Sequence, residues 1–280
     1  MGHYIKLVGG SMLKINAMYF SATNTTERVV KNIADNLALK FNGKVNYIDF
    51  TLAKERKSPV CFAENDLVVV GVPVYAGRVP NVLISYLNSV KSHGSIAVAT
   101  VVYGNRNYDD ALMELSDILE VNGFNVVAAG AFIGEHSFSY KLAAGRPDED
   151  DLKVAGEFAD KIYEKICSNV CVNVEVPGNR TYSPHYRPKD AEGNFVDIRK
   201  VKPKTSTDCV QCKLCCAVCP MESIDYNDVA TLKGICIKCG ACIKKCPVKA
   251  KYYDDENYLR HKKELEEECS ERREIELFLK

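Results

Sequence analysis

The chain has 280 residues and no tryptophan, no excess charge and no long apolar run. Its 37 basic residues balance 37 acidic ones. That balance gives no electrostatic reason to expect nucleic acid or an anionic membrane as a partner. Without a stretch of about eighteen apolar residues, no transmembrane helix is expected. No charged-then-apolar N-terminal segment marks secretion, so a cytoplasmic protein is expected. Nucleotide signatures are missing as well. There is no G-x-x-x-x-G-K-[ST], and no strand runs into G-x-G-x-x-G. ATP, GTP and dinucleotide chemistry are therefore not indicated.

What is present is cysteine. Thirteen cysteines in a chain without a secretion signal point to a reducing compartment and to metal rather than disulfides. The length favours two domains over one, and a 46% apolar content supplies a core. The opening MGHYIKLVGGSM does not fit the pattern that follows. Residues 1–13 are left out of fold reasoning, and the fold is expected to begin near Met12 or Leu13.

From residue 14 to about 172, short apolar runs alternate with amphipathic stretches. Strands are expected at 15–20, 44–50, 66–75, 95–103 and 125–133, and helices at 27–41, 79–90, 108–123 and 147–166. Strands alternating with helices imply an α/β fold, a doubly wound five-stranded parallel sheet. Residues 173–204 are rich in proline, glycine and polar residues and read as a linker or an extended wrap. Residues 254–280 read as a charged, solvated helix.

Between these lies a repeat. CVQCKLCCAVCP (209–220) returns as CIKCGACIKKCP (236–247), and a shift of 27 residues carries Cys209 onto Cys236. Both copies read C-x2-C-x2-C-x3-C-P, the bacterial ferredoxin signature. Residues 205–253 thus resemble a two-cluster ferredoxin, a small α+β domain. The resemblance implies one [4Fe–4S] cluster on Cys209, Cys212, Cys215 and Cys246. It implies a second on Cys236, Cys239, Cys242 and Cys219, because the fourth cysteine of each run crosses over. A zinc ribbon is the competing reading. Cys61, Cys167, Cys171, Cys216 and Cys269 lack such spacing and are expected as small buried apolar residues. The shift sets Cys216 opposite Ile243.

A second feature closes the first strand. Ser21, Thr23, Asn24, Thr25 and Thr26 crowd the start of a helix, where hydroxyls, N–H groups and the helix dipole suit a phosphate. Two further strand ends, PVYAGRVP and YGNRNYDD, carry glycine and tyrosine. Ligands of open α/β sheets bind beyond such ends. Together the three loops resemble those of flavodoxin-like proteins. That resemblance implies FMN, with its phosphate on the hydroxyl-rich loop. The flavin ring would lie between Pro73, Val74, Tyr75, Ala76, Gly77 and Arg78 on one side and Tyr103, Gly104, Asn105, Arg106 and Tyr108 on the other. Typical flavodoxins often stack a tryptophan there, and this chain offers Tyr108 first. The Ala76–Gly77 peptide is a candidate to bond near flavin N5, and Arg78 a candidate to offset charge on the reduced ring. His136, in FIGEHSFS, is either a proton donor near the flavin or a packed loop histidine, and the packed role is favoured.

The domain order, and FIGEHSFS itself, resemble a flavodoxin–ferredoxin fusion family common in anaerobes, the EFR-type ferredoxins. Clusters move single electrons and flavin handles one or two. The combination implies an electron carrier working with a redox protein partner. The alternative is an FMN-dependent reductase of a small-molecule acceptor such as a quinone, nitro compound or enone.

Overall fold

The computed structural model describes residues 13–168 and 172–280. Residues 1–12 and Cys171 lie outside them. The strands are β1 (Lys14–Tyr19), β2 (Val45–Asp49), β3 (Cys61–Phe62), β4 (Asp66–Pro73), β5 (Lys91–Ser92), β6 (Ile96–Tyr103), β7 (Asn125–Ile133), β8 (Lys204–Thr205), β9 (Lys251–Tyr252) and β10 (Glu276–Phe278). The α-helices are α1 (Thr25–Lys40), α2 (Asn81–Ser89), α3 (Ala111–Val121), α4 (Glu149–Cys167), α5 (Leu214–Ala217), α6 (Ala241–Lys244) and α7 (Glu256–Glu268). No described helix is long and apolar enough to cross a membrane.

The main sheet runs β10-β7-β6-β4-β1-β2. Its five long strands are parallel. Counted among themselves they follow the flavodoxin-like order 2-1-3-4-5. The reason lies in β4 and β6, DLVVVGVP and IAVATVVY, which are apolar on both faces and need a helical layer on each side. α1 and α4 cover one face through Val29, Ile33, Leu37, Phe158 and Ile162. α2 and α3 cover the other through Leu83, Leu87, Leu112, Leu115 and Leu119.

Gly71 lets α1 begin close over the sheet. A Cβ there would come within 2.1 Å of Val30 Cγ2 and 3.1 Å of Thr26 Cγ2. Gly71→Ala should therefore destabilise the protein by about 1–3 kcal/mol. A lower denaturant midpoint at unchanged slope is the expected reading.

The C-terminal helix expected over 254–280 stops at Glu268. The chain then returns to the first domain as β10, antiparallel to β7. IELFLK alternates: Phe278 joins the core on one face of the sheet, while Leu277 and Leu279 join the core on the other. β10 also covers β7, whose buried side chains would otherwise line an open sheet edge. The charged run before it concealed this period of two.

Residues 173–204 form an extended wrap. Val174 N–H donates to Val126 O at 2.8 Å. Asn179 and Ser183 donate backbone N–H groups to the Asp110 carboxylate at 2.8 and 2.6 Å. Tyr186 N–H reaches Ala76 O at 2.9 Å. Cys61 and Cys167 are exposed, not buried as expected. Cys61 begins the short edge strand β3, and Cys167 closes α4, so neither reaches a core.

In the cysteine region the 27-residue repeat is also a backbone repeat. Left-handed residues recur as Gln211 and Lys238, Lys213 and Gly240, Glu222 and Lys249. α5 and α6 occupy matching positions. β8 and β9 pair antiparallel and close the unit.

Candidate functional site

Two cavities open within the repeat. One, of about 330 Å³, is lined by Cys209, Cys212, Cys215 and Cys246. The other, of about 370 Å³, is lined by Cys219, Cys236, Cys239 and Cys242. Each cavity thus collects three cysteines of one run and the fourth of the other. Among the described residues, no three or more His, Cys, Asp or Glu side chains are placed to hold a single metal ion.

Burial holds three of these thiols toward their neutral form. Burial pushes the Cys239 thiol up to about 12. Burial and the neighbouring Cys239 and Cys236 raise Cys242 as well. Burial and Cys216 raise Cys215 to about 11. Thiolates gathered away from water need a cation to ionise together. Backbone N–H groups already point at two of the sulfurs: Ser223 N–H donates to Cys219 Sγ at 3.4 Å and Ala250 N–H to Cys246 Sγ at 3.3 Å. Cys216 lines neither cavity; it is half-buried rather than buried, with its Sγ 3.4 Å from Asp225 O.

A third cleft, of about 440 Å³, lies at the C-terminal ends of the parallel strands. Its floor is the hydroxyl-rich loop at the start of α1, with Ala22, Thr23, Thr25 and Thr26. Asn24 takes a left-handed φ of 67° and turns the chain into the helix. Among the described residues, nothing accepts a hydrogen bond from the backbone N–H groups of residues 22–26. Thr26 Oγ1 is buried without a partner. Free donors at a helix N-terminus fit a phosphate. Ser21 has a supporting role: its N–H donates to Thr51 Oγ1 at 2.8 Å, and its Oγ accepts from Glu27 N–H at 3.0 Å.

The walls of the cleft are Pro73, Val74 and Tyr75, then Val102, Tyr103 and Gly104, then residues 134–137 and Cys239. Of the ring-side residues expected from sequence, Pro73, Val74, Tyr75, Tyr103 and Gly104 line it. Ala76, Gly77, Arg78, Asn105, Arg106 and Tyr108 do not. The start of α3 and the loop before it, the wrap and the C-terminal segment engage them instead. Tyr108 packs on Tyr103 and donates to Glu276 Oε2 at 2.8 Å. Arg78 makes a two-pronged bond to Glu114 at 2.8 and 2.7 Å. Arg106 pairs with Asp109 and lies over the Tyr186 ring. Asn105 donates its amide to Cys269 O and Glu271 O. Gly77 is held against Asp109, and Ala76 O accepts from the wrap.

Gly134, Glu135 and Ser137 were missed as cleft residues, and so was the contribution of Cys239. The first three follow the fifth strand at the ligand end of the sheet, which was the available signal. Cys239 had none, because only the packing of the two units brings it there.

His136 is a fixed part of the wall. Its Nδ1 accepts from Phe138 N–H at 3.1 Å, so the neutral ring carries its proton on Nε2. Gly104 makes room for it: a Cβ there would be 2.3 Å from the ring. Burial, with Lys244, His261 and Arg106 adding repulsion, lowers its pKa from 6.5 to about 3. Below pH 6.5 the unfolded chain takes up a proton that the folded chain refuses. The stability from this neutral ring is therefore complete above pH 6.5 and declines as pH falls toward 3. By pH 5 the loss is about 2 kcal/mol. His136→Gln should flatten this slope, as denaturant titrations at pH 5 and 7 would show. An unchanged slope would assign the pH dependence to other groups.

The cleft and the 370 Å³ cavity share Cys239 as a wall. Tyr75 stands beside it, half-buried, and burial followed by the neighbouring Cys239 and Cys236 holds its hydroxyl well above the usual range. The two units are bonded around this junction. Lys244 reaches Ser139 O at 2.7 Å and pairs with Glu135. Arg56 donates to Pro220 O at 2.8 Å.

No family model matches the chain, and no curated protein matches it. Solved structures similar to it include flavodoxins. One from the domain Archaea shares 18% identity over 55% of this chain and 99% of its own, with a TM-score of 0.40. Flavodoxin 2 from Bacillus cereus shares 18% over 54% of this chain and 99% of its own, with a TM-score of 0.41. The flavodoxin of Streptococcus pneumonia TIGR4 shares 19% over 54% and 97%, with a TM-score of 0.37.

Proposed function

We propose that this chain is an electron-transfer flavo-iron–sulfur protein, with FMN in the cleft and a [4Fe–4S] cluster in each cysteine cavity. The observation that carries the reading is the lining of the two cavities. Each has four cysteines in the crossed set, and one shares Cys239 with the cleft. Bound FMN would supply exchange between one-electron and two-electron chemistry. The residues present suit it. The free N–H groups of residues 22–26 and Thr26 Oγ1 would hold the phosphate, and the strand ends and His136 would border the ring.

A carrier is favoured over a small-molecule reductase. The second unit closes one side of the cleft through Cys239, and the wrap and C-terminal segment occupy the neighbouring loops. The partner is then another redox protein, not a small acceptor.

Anaerobic purification followed by iron, sulfide and flavin analysis tests the reading. About eight irons and one FMN per chain are expected. Zinc in place of iron, or a protein that takes up no flavin, would overturn the corresponding half. Steady turnover with a quinone, nitro compound or enone would move the protein to the reductase class.

A further inference from the structure

Resting on that reading, we infer that the two cysteine sites have unequal and fixed roles. The Cys219, Cys236, Cys239 and Cys242 site is an inner relay that exchanges electrons with the cleft directly. The Cys209, Cys212, Cys215 and Cys246 site is the outer port and reaches the cleft only through the inner one.

The near-symmetric repeat does not demand this, since both sites are built from the same motif. The asymmetry comes from how the unit is docked. Cys239 is a wall of both the inner cavity and the cleft, whereas no outer cysteine lines the cleft. The bonds that hold the units together flank the inner site. Lys244, in the short helix after Cys242, reaches Ser139 O and Glu135. Pro220 and Met221, which follow Cys219, receive Arg56. Among the described residues, no hydrogen bond joins 205–216 or 246–251 to the first domain.

The repeat itself records the docking at one position. Lys213 and Gly240 are equivalent, and both are left-handed, at φ 61° and 75°. The backbone therefore accepts a side chain there in the first copy. In the second copy a Cβ would stand 2.6 Å from Ser137 O. Glycine is needed at 240 because the cleft wall is pressed against it. At the far end of the unit the opposite holds. Cys212 is exposed, and Val210, Leu214 and Val248, which line the outer cavity, are 62%, 38% and 39% exposed.

An aromatic series fills the space behind the junction. Cys236 Sγ lies 3.7 Å from Tyr253 Oη, and Tyr253, Tyr258, Phe138 and His136 follow with ring centroids 4.3, 4.7 and 5.1 Å apart. This packing links one side of the inner site to the cleft wall at His136. With clusters and FMN bound, an electron given up by a reduced external donor would enter at the outer site. It would pass by the inner one, beside Cys239, to the cleft. Two such passages, with two protons from water, would balance a two-electron reduction of the flavin.

The test uses the full chain, purified anaerobically with iron, sulfide and FMN quantified first. A light pulse in the presence of a sacrificial amine donor such as EDTA reduces the flavin, and transient absorbance follows electrons from flavin to iron. In Cys212→Ala, which breaks the outer site, the fast phase should remain. In Cys236→Ala, which breaks the inner site, it should slow roughly 100-fold, as expected when reacting groups lose their geometry. The reverse pattern, or equal behaviour of the two variants, overturns the ordering. Gly240→Ala keeps all eight ligands and guards against a cysteine variant that fails to fold. Full iron with transfer slowed about tenfold or more supports the ordering; full iron with an unchanged rate overturns it. Wild-type protein without iron or flavin would instead defeat the underlying cofactor reading.

Discussion

Cys219→Ala is expected to strip iron from the second motif's site and to spare the site of its own motif. Cys219 belongs to the first run, yet it lines the cavity with Cys236, Cys239 and Cys242. The remaining run keeps its full set, because Cys246 crosses to join Cys209, Cys212 and Cys215. Iron and sulfide should fall by about half, from about eight irons to about four. The loss should also lower stability, since cluster assembly and folding of this small unit are coupled. Cys216→Val is the matching control and should keep full iron. Cys216 is the extra cysteine of its run, outside the repeated motif; it contacts Asp225 O and lines neither cavity. Iron analysis with low-temperature EPR separates the outcomes. If Cys216→Val lost iron as Cys219→Ala does, the crossed assignment would be wrong.

The second large effect concerns the cleft floor. Thr23→Glu should weaken FMN binding about 100-fold, or nearly 3 kcal/mol. The new carboxylate would accept from the free N–H groups of residues 22–26 and satisfy the helix terminus from within. It would also repel an incoming phosphate. Riboflavin, which has the ring and no phosphate, should bind wild type and variant alike. Fluorescence quenching titrations with both ligands make the comparison. Equal losses for the two would mean that the substitution disturbs the whole cleft and that this loop is not a phosphate site.

The legible features were those encoded within a few residues. The period of the apolar runs marked the five parallel strands, and β4 and β6 announced a two-layered cover by being apolar on both faces. The C-x2-C-x2-C-x3-C-P repeat carried the ferredoxin resemblance, and that resemblance implied which cysteines would share a cavity. The hydroxyls at 21–26 marked the start of α1. Each of these signals rests on local geometry, either the pitch of an element or the span of a tight loop.

What local geometry could not convey was settled by contacts between distant segments. β10 pairs with β7 across more than half the chain, because the buried β7 needs a cover and IELFLK can face both cores. Glu114 of α3, Tyr186 of the wrap and Glu276 of the C-terminal segment hold Arg78, Arg106 and Tyr108, and so keep them away from the cleft. Arginine and tyrosine on a ligand-end loop look the same in sequence whether they meet a ligand or another part of the chain. By itself the sequence determined the parallel sheet, the hydroxyl-rich loop at residues 21–26 and the 27-residue cysteine repeat. Only the tertiary structure decided that Cys239, of all eight, would stand at the cleft. A repeat makes its two halves equivalent along the chain, and only docking one of them against Ser137 and Glu135 makes them different in space.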